Sequence, residues 1–222
     1  MFGITLDQYT VFALAAVAIF LIVGFPVHEF AHAWMANRLG DGTARLFGRL
    51  SLNPAVHLDP IGAGVLVVSA LLGGFFIGWA KPTPVNPANL RGGRMGEAKV
   101  AAAGPLSNVV MAIAGGVVFR VIVALVPEYS DPAWFAISVV YNFVVINIIL
   151  FIFNSIPLPP LDGSKVLFAF LPPRAVWQVH QVFDQWGLLI VVALLLVAGR
   201  VIIGPVYGLA DLLVGPLPLW VR

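Results

Sequence analysis

Apolar residues along this chain are gathered into five long stretches, which are separated by shorter polar segments rich in glycine and proline. The stretches cover residues 10–37, 61–79, 101–126, 133–153 and 186–206. A helix needs about 20 predominantly apolar residues to cross the hydrocarbon core of a bilayer. The pattern therefore predicts an all-α integral membrane protein of about four to six transmembrane helices, in a single domain over residues 1–222.

The second stretch, residues 61–79, differs from the others because Gly73 and Gly74 interrupt it and basic residues flank it on both sides. These flanking residues are Arg38, Arg45, Arg49, Lys81, Arg91, Arg94 and Lys99. Lysine and arginine are enriched in cytoplasmic loops, so a full crossing would place one basic flank on the wrong side. The pattern favours a re-entrant segment, whose backbone must be covered by protein or line a wet cavity.

The other loop charges indicate how the chain is oriented. The N-terminal segment and residues 127–132 carry acidic side chains but no lysine or arginine, whereas Lys165 and Arg174 follow the fourth stretch. We therefore expect a multi-pass protein of the cell membrane with its N-terminus outside. The first and fourth stretches then both run inward, and their inner ends lie at similar depth.

The composition agrees with lipid as the main solvent of this chain. Hydrophobic residues make up 60% of it and charged residues only 10%, whereas soluble proteins carry about 25% charged residues. The mean hydropathy is +0.99. There is no cysteine, so any metal must be bound by histidine or carboxylate side chains. The net charge of +2 indicates no nucleic-acid partner.

The first stretch contains the sequence HEFAH at residues 28–32. Four residues advance slightly more than one helical turn, so His28 and His32 lie on one face and can bind the same zinc ion. Glu29 lies beside them, where a carboxylate can accept a proton from a zinc-activated water. The alternative is a set of buried polar residues that pack between helices. Three ionisable groups so close together inside a membrane are costly, which favours the metal site.

Asp162 is the candidate for a third ligand. It follows the fourth stretch, in a segment where Pro157, Pro159 and Pro160 prevent the helix from continuing. The predicted orientation brings this segment to the depth of the two histidines. Asp162 could equally be a helix-capping residue before Gly163, and its spacing does not distinguish these roles.

These segments together resemble the site-2 protease family of intramembrane metalloproteases, peptidase family M50. The resemblance rests on HEFAH at 28–32, AGPLSN at 103–108 and the segment 154–163 that ends in LDG, in the order the family has them. The turns look like those of the compact prokaryotic branch, which lacks PDZ and CBS domains, and no segment here is long enough for either domain.

The resemblance implies an activity and a set of site residues. One zinc ion per chain would be bound by His28, His32 and Asp162, with Glu29 as general base. Asn154 would hold the substrate or its oxyanion. The substrate would be a transmembrane segment of another protein, and the active site would open towards the cytoplasm.

Other features leave alternatives open. A substrate helix must unwind before cleavage, and residues 45–52 or 77–85 are candidates for a short membrane-associated strand that pairs with it. His57 and Asp59 could form a second polar centre, although a structural role is favoured. A membrane metal transporter could use the same ligands, but it would need polar residues along a path rather than at one depth. The oligomeric state is not predicted.

Overall fold

The computed structural model describes residues 8–71, 81–126 and 130–215, and it is largely helical. In chain order the helices are α1 Gln8–Ile19, α2 Phe25–Arg38, α3 Thr43–Leu46, α4 Pro54–His57, α5 Pro60–Leu71, α6 Gly93–Leu125, α7 Asp131–Ser155, α8 Asp162–Phe168, α9 Pro173–Val201 and α10 Ile203–Val214. A π-helical turn, Phe20–Gly24, joins α1 to α2, and a 3₁₀ turn, Pro87–Asn89, precedes α6. These described residues contain no β-strand.

Within the described residues, three helical segments are long and apolar enough to cross a membrane. They are Val17–Arg38, Gly93–Leu125 and Pro132–Ser155. They coincide with the first, third and fourth apolar stretches, so the helices predicted there are confirmed. These helices support the assignment as a membrane protein, while the total of four to six spans stays a prediction.

The third predicted helix is longer in the structure than the sequence indicated. α6 starts at Gly93 rather than near residue 101, and Pro105 lies inside it. A proline inside a helix leaves one carbonyl without its usual donor, which membrane helices tolerate where neighbouring helices pack closely. α6 has such neighbours, because it packs against α2, α7, α8 and α10. It is therefore the central helix of the fold.

The second and fifth apolar stretches are described in different detail. α5 covers the first part of the second stretch, and residues 72–79 lie outside the described residues. Whether this stretch crosses or re-enters stays a prediction. The fifth stretch is divided between two helices, which end at Val201 and begin at Ile203, just before Gly204 and Pro205. Pro205 has no N–H to donate to the carbonyl of Val201, which explains why α9 ends there.

Residues 45–52 do not form the strand that was considered for them. The backbone N–H groups of Phe47 and Arg49 donate to the carbonyls of Thr43 and Ala44, at 3.1 and 2.8 Å. Backbone donors used in local turns are not available to a neighbouring strand, so this prediction was wrong. Of the other candidate, residues 77–80 lie outside the described residues, and residues 81–85 belong to no helix or strand.

His57 and Asp59 take local structural roles. The buried ring of His57 donates through Nε2 to the carbonyl of Ser51, at 2.7 Å. Asp59 Oδ1 accepts hydrogen bonds from the N–H groups of Ile61 and Gly62, at 3.0 and 2.9 Å. Such bonds satisfy free donors in the first turn of α5. These contacts agree with the structural interpretation of the two residues rather than with a second polar centre.

Candidate metal centre

The side chains of His28, His32 and Asp162 meet between α2 and α8. His28 Nε2 and His32 Nε2 are 3.1 Å apart. Asp162 Oδ2 lies 3.5 Å from the first nitrogen and 3.2 Å from the second. In the described part of the chain, no other group of three or more histidine, aspartate or glutamate side chains is placed to hold one metal ion. The structure thus brings together the three side chains that the resemblance implied as metal ligands.

Asp162 reaches the histidines because α8 folds back closely on the end of α7. A Cβ atom at Gly163 would overlap the carbonyl oxygen of Ser155 and lie 2.6 Å from that of Ile156. Only glycine allows this approach of α8 to the preceding turn. The N-cap of α8 is Leu161, and Asp162 is its first helical residue. Asp162 is therefore not the N-cap residue, so the capping alternative does not describe its position. Its carboxylate is directed to the two histidines.

The distances between the three ligand atoms suit zinc. Zinc bonds to histidine nitrogen and carboxylate oxygen are about 2.0–2.2 Å long in tetrahedral sites, which places neighbouring ligand atoms about 3.3–3.6 Å apart. The observed separations of 3.1, 3.2 and 3.5 Å lie within or slightly below this range. Three protein ligands also leave the fourth position open, as a catalytic zinc site requires.

A buried chain of amides determines which nitrogen of His28 carries its proton. The carbonyl of Phe143 can only accept, so the 2.8 Å contact from Asn147 must come from its amide Nδ2. Asn147 Oδ1 then accepts from Asn108 Nδ2 at 3.0 Å. Asn108 Oδ1 is left to accept from His28 Nδ1 at 2.6 Å. The proton of a neutral His28 is therefore on Nδ1, and its Nε2 presents a lone pair.

His32 is oriented in the same way by a backbone carbonyl. Its Nδ1 donates to the carbonyl of Val100 in α6, at 2.8 Å. Two imidazole lone pairs and a carboxylate oxygen thus point at one another across little more than 3 Å. These electron-rich atoms repel one another unless a positive charge lies between them. The donor set therefore fits a bound cation, and second contacts of this kind are typical of metal-binding histidines.

Gly104 provides the space that the two imidazoles occupy. A Cβ atom at this position would overlap Nε2 and Cε1 of His32 and lie 2.7 Å from Cε1 of His28. Any larger residue here would displace both rings. The glycine of AGPLSN therefore permits the close packing of α6 against α2, and Asn108 at the end of this motif contacts His28.

Glu29 lies beside the metal ligands and is also buried. Its carboxylate oxygen Oε2 accepts hydrogen bonds from the Thr83 hydroxyl at 2.6 Å and from the Thr83 backbone N–H at 3.1 Å. Thr83 belongs to the segment between α5 and α6. The candidate general base is thus held by a residue from a different part of the chain.

A cavity of about 450 Å³ opens between α6, α7 and α8 and is lined on one side by Asp162. Its lining is predominantly apolar and includes both Asp162 and Asn154, which lies in the last turn of α7. The other lining residues are Ala101, Ala102, Pro105, Leu106, Phe151, Ser155, Pro157, Gly163, Val166, Leu167 and Phe170. The cavity is large enough for a bulky apolar side chain next to the carboxylate of Asp162.

Comparison with known proteins identifies the family. The profile of Peptidase family M50 matches residues 120–198, a region that includes Asn154 and Asp162. "Putative zinc metalloprotease YwhC" of Bacillus subtilis (strain 168) is 36% identical to this chain over 197 residues, 85% of each protein. The chain belongs to peptidase family M50. A second relative of this M50 chain, "Putative zinc metalloprotease Rip2" of Mycolicibacterium smegmatis (strain ATCC 700084 / mc(2)155), is 31% identical over 199 residues, 84% of this chain and 71% of that protein.

No solved structure matches this M50 chain. Membership of the family makes the protein a zinc metalloendopeptidase of the site-2 type, in agreement with the resemblance seen in its sequence. The names of both relatives indicate zinc as the metal of this group. The arrangement of His28, His32 and Asp162 provides a possible site for it.

Sequence reasoning overlooked several residues of this M50 site. Gly104 and Asn108 belong to the motif AGPLSN, but the sequence did not predict their contacts with the two imidazoles. Asn147 could have been noticed because it is an amide within the apolar fourth stretch, where a polar side chain needs a partner. Thr83 gave no signal, since a threonine between two prolines reads as an ordinary loop residue.

Proposed function

We propose that this M50 peptidase hydrolyses peptide bonds in or near transmembrane segments of other membrane proteins. One zinc ion per chain would be bound by His28, His32 and Asp162. The observation that supports this most strongly is that two imidazole lone pairs, from a helix long enough to span a bilayer, converge with the carboxylate of Asp162. A hydrolytic site built on a membrane-spanning helix lies where the helices of membrane-protein substrates are found.

The residues around the metal have separate tasks in this reaction. A zinc ion held by His28, His32 and Asp162 would supply a Lewis acid for the scissile carbonyl and would lower the pKa of a water molecule to about 7. Glu29 accepts a proton from the attacking water and returns it to the leaving amine. Asn154, which lines the cavity next to Asp162, donates a hydrogen bond to the oxygen of the substrate carbonyl as negative charge develops on it.

The apolar cavity offers a place for one side chain of the substrate. A side chain of the substrate next to the scissile bond would lie in the cavity between α6, α7 and α8, in contact with Leu106, Val166 and Phe170. Large apolar side chains fit this lining, because charged ones would lose hydration without a partner. The substrate must also expose its backbone, so segments weakened by Gly, Asn or Pro should be cleaved faster than uniformly leucine-rich ones.

The position of the site in the first span supports an opening towards the cytoplasm. His28 lies ten residues before Arg38, the basic end of α2, which corresponds to about 15 Å along a helix axis. Basic residues on both sides of α5 continue from this end of the span. By the charge rule this side faces the cytoplasm, with the N-terminus outside the cell membrane.

Cleavage by the purified protein in detergent tests this proposal. Wild type and Glu29→Gln are compared on a model transmembrane substrate, and bound zinc is measured in both. We expect wild type to cleave and Glu29→Gln to lose at least about 100-fold in rate, while each retains close to one zinc per chain. Zinc-loaded wild type that cleaves none of several helix-destabilised substrates would contradict the proposal.

A further inference from the structure

The segment Lys81–Asn86, here called the strap, passes along α2 and is attached to it near Glu29. Its sequence is KPTPVN. Pro82 and Pro84 fix their own φ angles near −65° and restrict the residues before them to extended conformations. The backbone on both sides of Thr83 is therefore stiff before any contact is made, and little conformational entropy is lost when Thr83 binds a partner.

Both ends of the strap are attached to buried groups that the proposed reaction does not use. The backbone N–H of Lys81 donates to the carbonyl of His57 at 3.1 Å. At the other end, the backbone N–H of Asn86 donates to Asp41 Oδ2 at 2.7 Å. His57 and Asp41 are fully buried. The position of the strap is thus set independently of its contact with Glu29.

The middle of the strap contacts the carboxylate of Glu29 through two donors. The hydroxyl of Thr83 lies 2.6 Å from Glu29 Oε2 and 3.3 Å from the Glu29 carbonyl, and its single proton serves the shorter contact. The backbone N–H of Thr83 lies 3.1 Å from the same Oε2. With Oε2 occupied by two donors, the carboxylate cannot rotate freely, and Oε1 is the oxygen left for a water molecule.

We propose that Thr83 is a positioning residue: it holds the carboxylate of Glu29 so that one oxygen faces the attacking water. This inference rests on the proposed function, in which Glu29 is the general base. Hydrogen bonds to a charged group are stronger than those between neutral groups, so the Thr83 hydroxyl contributes substantially to this orientation. The strap supplies the rigid support that makes the contact selective for one rotamer of Glu29.

Steady-state kinetics of strap variants test the proposal. Thr83→Val keeps the shape of the side chain but removes the hydroxyl, and Thr83→Ser keeps the hydroxyl. We expect Thr83→Val to lower kcat by about 10- to 100-fold, with KM within about twofold of wild type and zinc near one per chain. Thr83→Ser should recover most of the lost kcat.

A matched control separates positioning from general loosening. Thr43→Val makes the same change at a hydroxyl that donates to Asp41, at the end of the strap and not to Glu29. We expect its kcat to stay within about twofold of wild type. The proposal is overturned if Thr83→Val retains wild-type kcat, if Thr83→Ser is as impaired as Thr83→Val, or if Thr43→Val loses as much.

Infrared spectroscopy tests the contact without any substrate. The glutamates of this chain are Glu29, Glu97 and Glu128, so labelling with ¹³C-glutamate gives few carboxylate bands. We expect Thr83→Val to shift one carboxylate band, and the same substitution in a Glu29→Gln background to shift none. No shift in either background would contradict the proposal. If Thr83→Val shifts the band but wild type cleaves no substrate, the result would instead count against the proposed function.

Discussion

At the residue scale, the proposed chemistry depends on hydrogen bonds that orient the candidate metal ligands. The carbonyl of Phe143 fixes Asn147, which fixes Asn108, which fixes the proton of His28 on Nδ1. Only the tautomer with its proton on Nδ1 offers Nε2 as a ligand. A side chain two hydrogen bonds from the imidazole therefore controls whether His28 can bind metal.

Asn147→Leu removes this control while keeping a similar volume. The amide of Asn108 then lacks its acceptor and can rotate, so its NH₂ group competes for His28 Nδ1 and favours the wrong tautomer. We expect zinc affinity to fall by about 10- to 100-fold, measured by competition with a chelator in detergent. Asn142→Leu is the control, because Asn142 lies in the same helix and donates to the carbonyl of Ser138 rather than to Asn108. Equal zinc affinity in the two variants would contradict this account.

The sequence predicted part of this arrangement. The spacing within HEFAH is local, so it predicted the shared face of His28 and His32 and the place of Glu29 beside them. The position of Asp162 depends on how α8 folds back on α7, and its spacing left a ligand and a helix cap equally open. Asn147 and Thr83 act through contacts between distant segments, which no local pattern contains.

At the element scale, the turn after α2 is fixed to the strap by one buried carboxylate. Asp41 Oδ1 accepts from the Thr43 N–H and hydroxyl and from Asn89, and Oδ2 accepts from the Asn86 N–H. Burial acts to raise the pKa of Asp41, but the hydrogen bonds from Thr43, Asn86 and Asn89 outweigh it and hold the pKa below its ordinary value. The folded state therefore favours the charged carboxylate.

Asp41→Asn should destabilise the protein in a pH-dependent manner. A lowered pKa stabilises the folded state fully above the unfolded value of about 3.9, and this stabilisation is lost as the pH falls through the lower folded value. We expect Tm in detergent at pH 7 to fall by about 2–8 °C, and the difference from wild type to shrink below about pH 4.

The exposed Asp184 provides the control for Asp41. Asp184→Asn makes the same change in charge without removing a buried acceptor, so its Tm should equal that of wild type at about pH 7 and at about pH 3. A loss of stability in Asp41→Asn that persists unchanged at pH 3 would show that the charged carboxylate is not the source of the effect.

The elements themselves were predictable where their apolar residues are continuous. The first, third and fourth stretches became helices because membrane-spanning backbone must satisfy its own hydrogen bonds. The start of α6 at Gly93 was missed because residues 93–100 are less apolar than the stretch that follows them. The strand considered at residues 45–52 was wrong because turn hydrogen bonds around α3 use its backbone donors.

At the scale of the whole molecule, the central helix α6 connects all parts of the proposed mechanism. Gly104 makes room for both imidazoles, Val100 and Asn108 orient them, and Ala101 and Leu106 line the cavity beside Asp162. α2 and α7 pack on the same helix. Because α8, which carries Asp162, also packs on α6, the site depends on the packing of four helices. The orientation in the membrane and the path of residues 61–79 rest on loop charges alone and stay predictions.

The central claim is that this site cleaves inside the membrane, about 15 Å along the helix from the basic end of α2. Mapping of cleavage sites tests it most directly: zinc-loaded wild type and Glu29→Gln are reconstituted in liposomes with a single-pass substrate, and the products are identified by mass spectrometry. We predict that wild type cuts within or next to the cytoplasmic half of the substrate's transmembrane segment, and that Glu29→Gln does not. Cuts confined to soluble loops, or identical products from both proteins, would contradict the account.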